Sequence, residues 1–459
     1  MLFRFASTEI YPISQGVPQN ERWKSVLAVM LGVSMASLDT AIANTALPTM
    51  ASDLGTTQAL SVWIVSAYQL AVVAALLPAA SLGEIIGHRR ILMAGLVLFT
   101  LASLVCGIAP SLEWLVSARV VQGLGAAGLM AVNGAMVRFI YPSGSLGRGV
   151  GLNSLVVGIS FAAGPTLASL ILSVGSWHWL FLINIPIGLV AMALGLRALP
   201  ATPQSSRSYD PHAAVLCAGF FGLLVYSLNA GAQGNTGWTL VLTTALTLLC
   251  LLALLRRQAG VPAPLLALDL LRKPIFALSA ATAVCTFATQ ALAFVSLPFM
   301  LQQVLGYTQI ETGFLITPWP ILVAAMAPVA GRLSDRYPAG LLAGVGLIML
   351  SAGMALLALM PADPTPLDIG WRMALCGAGF GFFQSPNVRT IMSSAPPERS
   401  GGASGMIGTV RLLGQSTGAA LVAACFTVSS TDGAINAIWL GALFAAIASV
   451  ASFMRLPYS

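Results

Sequence analysis

Charge is what this chain has least of. Its 459 residues include 21 Lys and Arg, 14 Asp and Glu and 3 His, so charged residues make up 8% of the sequence while hydrophobic ones make up 57%. An ordinary soluble domain is about 25% charged, so the shortage excludes a conventional water-facing globular surface. The three histidines, His88, His178 and His212, fall at loops or at the ends of apolar runs. No nucleophile–base pair, phosphate-cradling glycine loop or metal-ligand spacing occurs, which argues against an enzyme, a metal site and ATP as energy source. The cysteines are Cys106, Cys217, Cys250, Cys285, Cys376 and Cys425, each alone in an apolar run. That scatter excludes a disulfide framework and reads as reduced packing residues.

What is present is apolar length. Fourteen segments read as membrane helices, at approximately 24–47, 58–80, 90–109, 112–137, 148–172, 178–199, 211–230, 237–255, 274–302, 311–332, 339–360, 368–393, 402–428 and 433–454. Each has about 20 residues or more, enough for a hydrocarbon core about 30 Å thick. Lipid offers no partner to an open backbone, so these segments are helical and the fold is all-α. The few charges are sorted by side. With the N-terminus inside, Arg22, Lys24, Arg89, Arg90, Arg138, Arg197, Arg256, Arg257, Lys273, Arg332, Arg336, Arg389 and Arg455 all fall inside. The outer loops hold Asp53, Glu113, Glu311, Asp363, Asp368 and Asp432, with Arg372 as their basic residue. That is the positive-inside pattern. The net charge of +7 is therefore a topology signal rather than a nucleic-acid surface, and it predicts both termini in the cytoplasm. Trp63, Trp114, Trp177, Trp179, Trp238, Trp371 and Trp439 lie near outer ends, as an interfacial belt would. About 22 mostly polar residues precede a first span too long for a signal peptide's apolar core.

Residues 24–199 and 274–454 each hold six spans. Between them, residues 200–273 form a linker with two additional spans, and residues 1–23 and 455–459 are tails. Two six-helix bundles with a substrate site between them at the membrane midplane are a transporter plan. A faint internal repeat supports it: Ala80-Ser81-Leu82-Gly83-Glu84-Ile85-Ile86-Gly87-His88-Arg89-Arg90 in the first half corresponds to Gly331-Arg332-Leu333-Ser334-Asp335-Arg336-Tyr337 in the second.

Against this background Asp39 stands out, in Leu38-Asp39-Thr40-Ala41-Ile42-Ala43-Asn44-Thr45-Ala46-Leu47-Pro48. An ionisable group at membrane depth costs about 2.5–3.5 kcal/mol and is a functional candidate by default. Arg119 is its expected partner. Asp39 is about 15 residues into its span from inside and Arg119 about 8 into its own from outside, which at about 1.5 Å per residue puts both in the outer half of the core. Trp319, in Thr317-Pro318-Trp319-Pro320, reads either as a stacking surface for a cationic aromatic substrate or as a lipid-facing residue. Asn44, Gln122, Gln384 and Asn387 are further cavity candidates, and Arg411, in Gly408-Thr409-Val410-Arg411-Leu412-Leu413-Gly414, reads as structural.

These motifs together resemble the major facilitator superfamily, and within it the fourteen-helix drug:proton antiporters, along the whole chain. The Asp39 run keeps most of that branch's first-helix pattern. Leu115-Val116-Ser117-Ala118-Arg119-Val120-Val121-Gln122-Gly123-Leu124-Gly125-Ala126-Ala127 matches its Leu-x-x-x-Arg-x-x-Gln-Gly-x-Gly-Ala-Ala in full. Gly164-Pro165 is kept from the antiporter motif, with Ala168 and Ser169 in place of its glycine pair. In the first loop motif Gly87, Arg89 and Arg90 survive while Glu84 replaces aspartate; the second copy keeps Gly331, Asp335 and Arg336. The resemblance implies a major facilitator fold, proton coupling through Asp39 and Arg119, export shaped by Gly164-Pro165, and a cytoplasmic latch of Glu84, Gly87, Arg89, Arg90, Gly331, Asp335 and Arg336. It implies a monomeric, cofactor-free antiporter of the inner membrane, driven by the proton gradient, that expels amphipathic, cationic compounds. A dedicated exporter of one endogenous metabolite and a proton-linked importer stay open.

Overall fold

A computed structural model describes residues 16–142, 146–204, 209–232, 237–259, 270–334, 336–361, 363–394, 400–429 and 432–458. Among these residues the ordered structure is helical throughout, with no strand. The first half runs α1 (Gln19–Asp53), α2 (Gln58–Ser61), α3 (Trp63–Ile86), α4 (His88–Cys106), α5 (Leu112–Ile140), α6 (Leu146–Val174), α7 (Trp179–Leu182) and α8 (Asn184–Ala198). Two further helices follow, α9 (Pro211–Ala232) and α10 (Trp238–Gln258). The second half runs α11 (Pro274–Phe299), α12 (Gln309–Ile316), α13 (Pro318–Leu333), α14 (Ala339–Ala358), α15 (Pro366–Ser394), α16 (Ser400–Val428) and α17 (Gly433–Phe453).

Twelve of the described helical segments are long and apolar enough to cross a membrane. α15 and α16, at 29 residues each, are equally long but lie outside that set of twelve. Several expected spans are broken in two: α2 gives way to α3 at Val62, α7 to α8 at Ile183, and α12 to α13 at Thr317. The last break precedes Pro318, whose ring cannot continue the hydrogen-bond ladder. α11 ends in a π-helical turn, Met300–Val304, just after the internal Pro298.

Burial sorts these helices by role. α1 buries 22 residues, including its whole stretch from Ser37 to Pro48, and so lies at the centre. α10 turns Val241, Leu242, Leu248, Leu249 and Leu252 outward, as a lipid-facing helix must when the solvent is itself apolar. α9 packs against α3 and α16 and carries α10, and it buries Cys217, Phe221 and Val225 in the same hydrophobic cluster as Val72 and Leu76 of α3. Arg257 closes the pair at one end with an ion pair to Asp210 at 2.8 Å. That contact holds the exposed Asp210 carboxyl below its usual range and, exposed as it is, contributes little to stability.

The helices have a basic end, carrying Arg89, Arg90, Arg389 and Arg455, and an opposite acidic end. At the acidic end the halves are hydrogen-bonded together. Thr166 meets Thr317 at 2.8 Å, Ser169 donates to the Gln309 carbonyl, the Gln309 side chain reaches Thr49, and Gln58 reaches Gln303.

Candidate functional site

Close helix approach builds the site. A Cβ at Gly123 would sit 2.5 Å from the Tyr68 carbonyl and one at Gly125 2.5 Å from the Phe99 amide. Two glycines on α5 thereby let it lie against both α3 and α4, which is how small residues drive packing without a hydrophobic force. Arg119 and Gln122, on the same helix, are thereby brought against α3 and α4, where they bond to the Ile64 carbonyl and Ser103.

There Arg119 and Asp39 form an ion pair in which both side chains are at most 1% exposed. Gln122 ties the pair together. Its carbonyl oxygen accepts from Arg119 Nη1 at 2.7 Å, and its amide donates to Asp39 Oδ1 at 2.8 Å and to Ser103 Oγ at 2.9 Å. Asn184, at the start of α8, donates to the same Oδ1 at 3.3 Å. Arg119 Nε donates to the Ile64 carbonyl at 3.0 Å, and Cys106 Sγ lies 3.4 Å from the Gln122 oxygen. The guanidinium also stacks 4.2 Å from the Tyr68 ring centre and 5.6 Å from that of Phe181, in cation–π range. Asp39 therefore accepts from α5 and α8 at once, and Arg119 is bonded to α1 and α3. A carboxylate so enclosed can be released from its donors only by a movement of helices or by taking up a proton.

Gly164 and Pro165 flank this cluster. A Cβ at Gly164 would come within 2.3 Å of Ala41 Cβ, two residues from Asp39. The Pro165 carbonyl faces Gly313 of the other half, where a Cβ would be 2.6 Å from it. The Gly-Pro element thus touches α1 on one side and α12 on the other.

The remaining sequence candidates scatter. Gln122 belongs to the ion-pair cluster, with its polar atoms fully engaged there. Asn44 is 4% exposed with its side-chain oxygen unbonded; it lies five residues beyond Asp39, about 7.5 Å along α1. Trp319 is fully buried, edge-on to Phe294 at 5.3 Å, and packed where α13 meets Gly377, so it presents no open face for stacking. Asn387 is likewise enclosed, donating to the Ser279 carbonyl at 3.3 Å and accepting from Arg455. Gln384 is half-buried on α15. Arg411 is half-buried on α16 with its Nε unbonded.

Of the latch candidates, Glu84 lies near the end of α3, Arg89 and Arg90 at the start of α4, and Gly331 in α13. Glu84, Arg90 and Arg336 are exposed, and no ion pair among the described residues involves them. Arg89 is 4% exposed and donates to the Leu196 carbonyl at 2.8 Å within its own half. Gly87 turns the chain between α3 and α4 at φ +103°, a backbone region that favours glycine. Gly331 lies on α13 near Ser385, and Asp335 lies outside the described residues.

Sequence reasoning missed Asn184, Ser103 and Tyr68. The rule that flagged Asp39, a polar group alone in an apolar run, applies equally to Asn184 in Phe181-Leu182-Ile183-Asn184-Ile185-Pro186. Arg455, expected as a tail charge, is 1% exposed. Nothing in its sequence setting distinguishes it from the other basic residues of that end.

A helical membrane fold with lipid-facing apolar surface and a buried ion pair within its first half fits a multi-pass membrane transporter rather than an enzyme. Residues 29–419 match the Major Facilitator Superfamily, and the chain belongs to it. It is 50% identical to the uncharacterized transporter YebQ of Escherichia coli (strain K12), over 96% of this chain and 97% of that one. It is 31% identical to the riboflavin transporter RibZ of Clostridioides difficile (strain 630), covering 90% of each. It is 32% identical to the multidrug resistance protein Stp of Mycobacterium tuberculosis (strain CDC 1551 / Oshkosh), over 91% of this chain and 76% of that one. Among solved structures, a bacterial homolog to the human lysosomal transporter Spinster, inward-facing and unoccupied, shares the fold with a TM-score of 0.68 at 15% identity, covering 95% and 97% of the two chains.

Proposed function

We propose that this transporter is a proton-coupled antiporter of the fourteen-helix drug:proton branch, exporting amphipathic compounds across the inner membrane. α15 and α16 complete its fourteen spans, both termini are cytoplasmic, and it works as a monomer without a cofactor. The observation that carries this reading is the Asp39–Arg119 pair, sealed between α1, α5 and α8 with Gln122 as its tie. When the helices part, Asp39 exchanges its guanidinium partner for a proton. Arg119 then keeps its hydrogen bonds to the Ile64 carbonyl and Gln122 but not its counter-charge. Proton loss to the cytoplasm re-forms the pair and resets the cycle. We read the end at which the halves are hydrogen-bonded together as the closed outer end of an inward-facing state. The basic loop residues latch the opposite state.

Proton release on adding substrate to purified protein, compared with the Asp39→Asn variant, tests the coupling. The closed end has its own test. A double variant, Thr166→Cys with Thr317→Cys, is expected to cross-link on oxidation and stop transport, with activity returning on reduction. Full transport by the oxidised, verified cross-linked protein would refute alternating opening at this seam.

Charge sets the substrate class. Asp39 is the one buried acid among the described residues, and it already has three donors. Monovalent amphipathic cations and neutral amphiphiles are therefore expected to be exported better than dications. Equal efflux of a dication and its monovalent analogue would overturn this. Arg411 favours a second reading: an intramembrane guanidinium with Nε unbonded suits a neutral or acid-bearing aromatic substrate, and the named substrate of the relative RibZ is riboflavin. Competition for efflux between a flavin and a monovalent cation separates the two.

A further inference from the structure

At the basic end of the second half lies a cavity remote from the ion-pair cluster. Its volume is about 480 Å³, and it is bounded by the residue before α11, the start of α14, the end of α15 and the segment after α17. Lys273, Arg389 and Arg455 line it, and none of its described lining residues is acidic. Arg455 is the informative member. It is 1% exposed, yet every partner it has is neutral: Asn387 Oδ1 at 2.5 Å, Ser279 Oγ at 3.0 Å, Ser452 Oγ at 2.5 Å and the Ser452 carbonyl at 3.4 Å. A buried charge is ordinarily paired or coordinated. Burial pulls this guanidinium down to about 10, which leaves it cationic at neutral pH with no acidic partner among the described residues.

Three further features converge on the same space. Lys273 is exposed, and its ammonium makes one bond, to the Ser394 carbonyl at 2.9 Å, of the three it can donate. α14 begins in the cavity wall at Ala339 and Gly340, and its N-cap, Pro338, supplies no side-chain cap. The N-terminal end of a 20-residue helix is thus turned towards this space, and such an end attracts anions through its free amides and its dipole.

We propose that this cavity binds a phosphate-bearing anion, with Arg455 and Lys273 as its cations and the α14 N-terminus as its backbone donor. An acidic phospholipid headgroup and a soluble phosphate share that chemistry. Either would join α11, α14, α15 and α17 at one end, stiffening the second half as a unit. The inference stands apart from the proton-coupling reading, since no residue of the Asp39 cluster takes part.

The test uses purified, delipidated full-length protein in native mass spectrometry, titrated with phosphatidylglycerol, phosphatidylcholine or inorganic phosphate. Phosphatidylglycerol adducts are expected at about tenfold lower concentration than phosphatidylcholine adducts, a factor equivalent to about 1.4 kcal/mol. Lys273→Gln should remove that preference. Arg256→Gln, an exposed basic position away from the cavity, should keep it. If phosphatidylglycerol resists displacement by inorganic phosphate, the ligand is a lipid headgroup; if phosphate displaces it and itself raises the unfolding temperature, the ligand is a soluble phosphate. Equal adducts of the two lipids with no effect of phosphate, or an unchanged preference in Lys273→Gln, would overturn the proposal.

Discussion

Asp39→Asn is expected to abolish uphill export while leaving a folded protein that still binds substrate. For a neutral amphiphile exchanged for one proton, a membrane potential of 100 mV supplies about 2.3 kcal/mol, equivalent to about a fiftyfold concentration ratio. The variant should lose that ratio and merely equilibrate substrate across inverted vesicles, and substrate should release no protons from it in solution. Stability needs separate attention, because Asn leaves Arg119 buried without a counter-charge. Breaking a buried pair from one side costs about 3–5 kcal/mol, whereas neutralising both partners is often close to neutral. The double variant Asp39→Asn, Arg119→Gln is therefore expected to unfold at a higher temperature than the single variant and to remain uncoupled. Uphill export by either variant would remove Asp39 from the mechanism.

The pair was legible in the sequence for a physical reason. An acid and an arginine in long apolar runs each carry a cost that only a partner can offset, and helix rise places them at matching depth. The all-helical fold was legible too, from run lengths and from the lack of any backbone partner in lipid. What escaped was whatever depends on rotation about a helix axis. Trp319 and Asn387 sit in polar or kinked stretches that suggested an open cavity, yet rotation turns both inward, against Phe294 and Arg455. Apolar composition all round a membrane helix gives no amphipathic face to read, so which side meets lipid, core or cavity is decided by neighbours far away in the chain. Arg455 shows the same limit at a helix end. A terminal arginine looks like a topology signal, and only the convergence of α11, α15 and α17 makes it a buried one.

Gly164→Val should be nearly as damaging as loss of Asp39, though no charge changes. α6 is fastened to α1 by the Ser34–Ser160 hydroxyl pair at 2.6 Å, and one turn further on Gly164 meets Ala41, where even a single added carbon would be 2.3 Å from the Ala41 methyl. Overpacking of a filled interior costs about 1–3 kcal/mol, and here the strain falls two residues from Asp39. Moving α1 outward would lengthen the bonds from Gln122 and Asn184 that hold the carboxylate. Moving α6 outward would press Pro165 against Gly313 of the other half. Gly164→Val is thus expected to lower the unfolding temperature and to cut substrate-driven proton release by at least about tenfold, the factor that 1.4 kcal/mol represents. Gly158→Val, on the same helix with open space where its side chain would go, is the matched control and should do neither. Wild-type coupling in the Gly164 variant would show that α1 and α6 need not stay this close, and would detach the Gly-Pro element from the proton site it flanks.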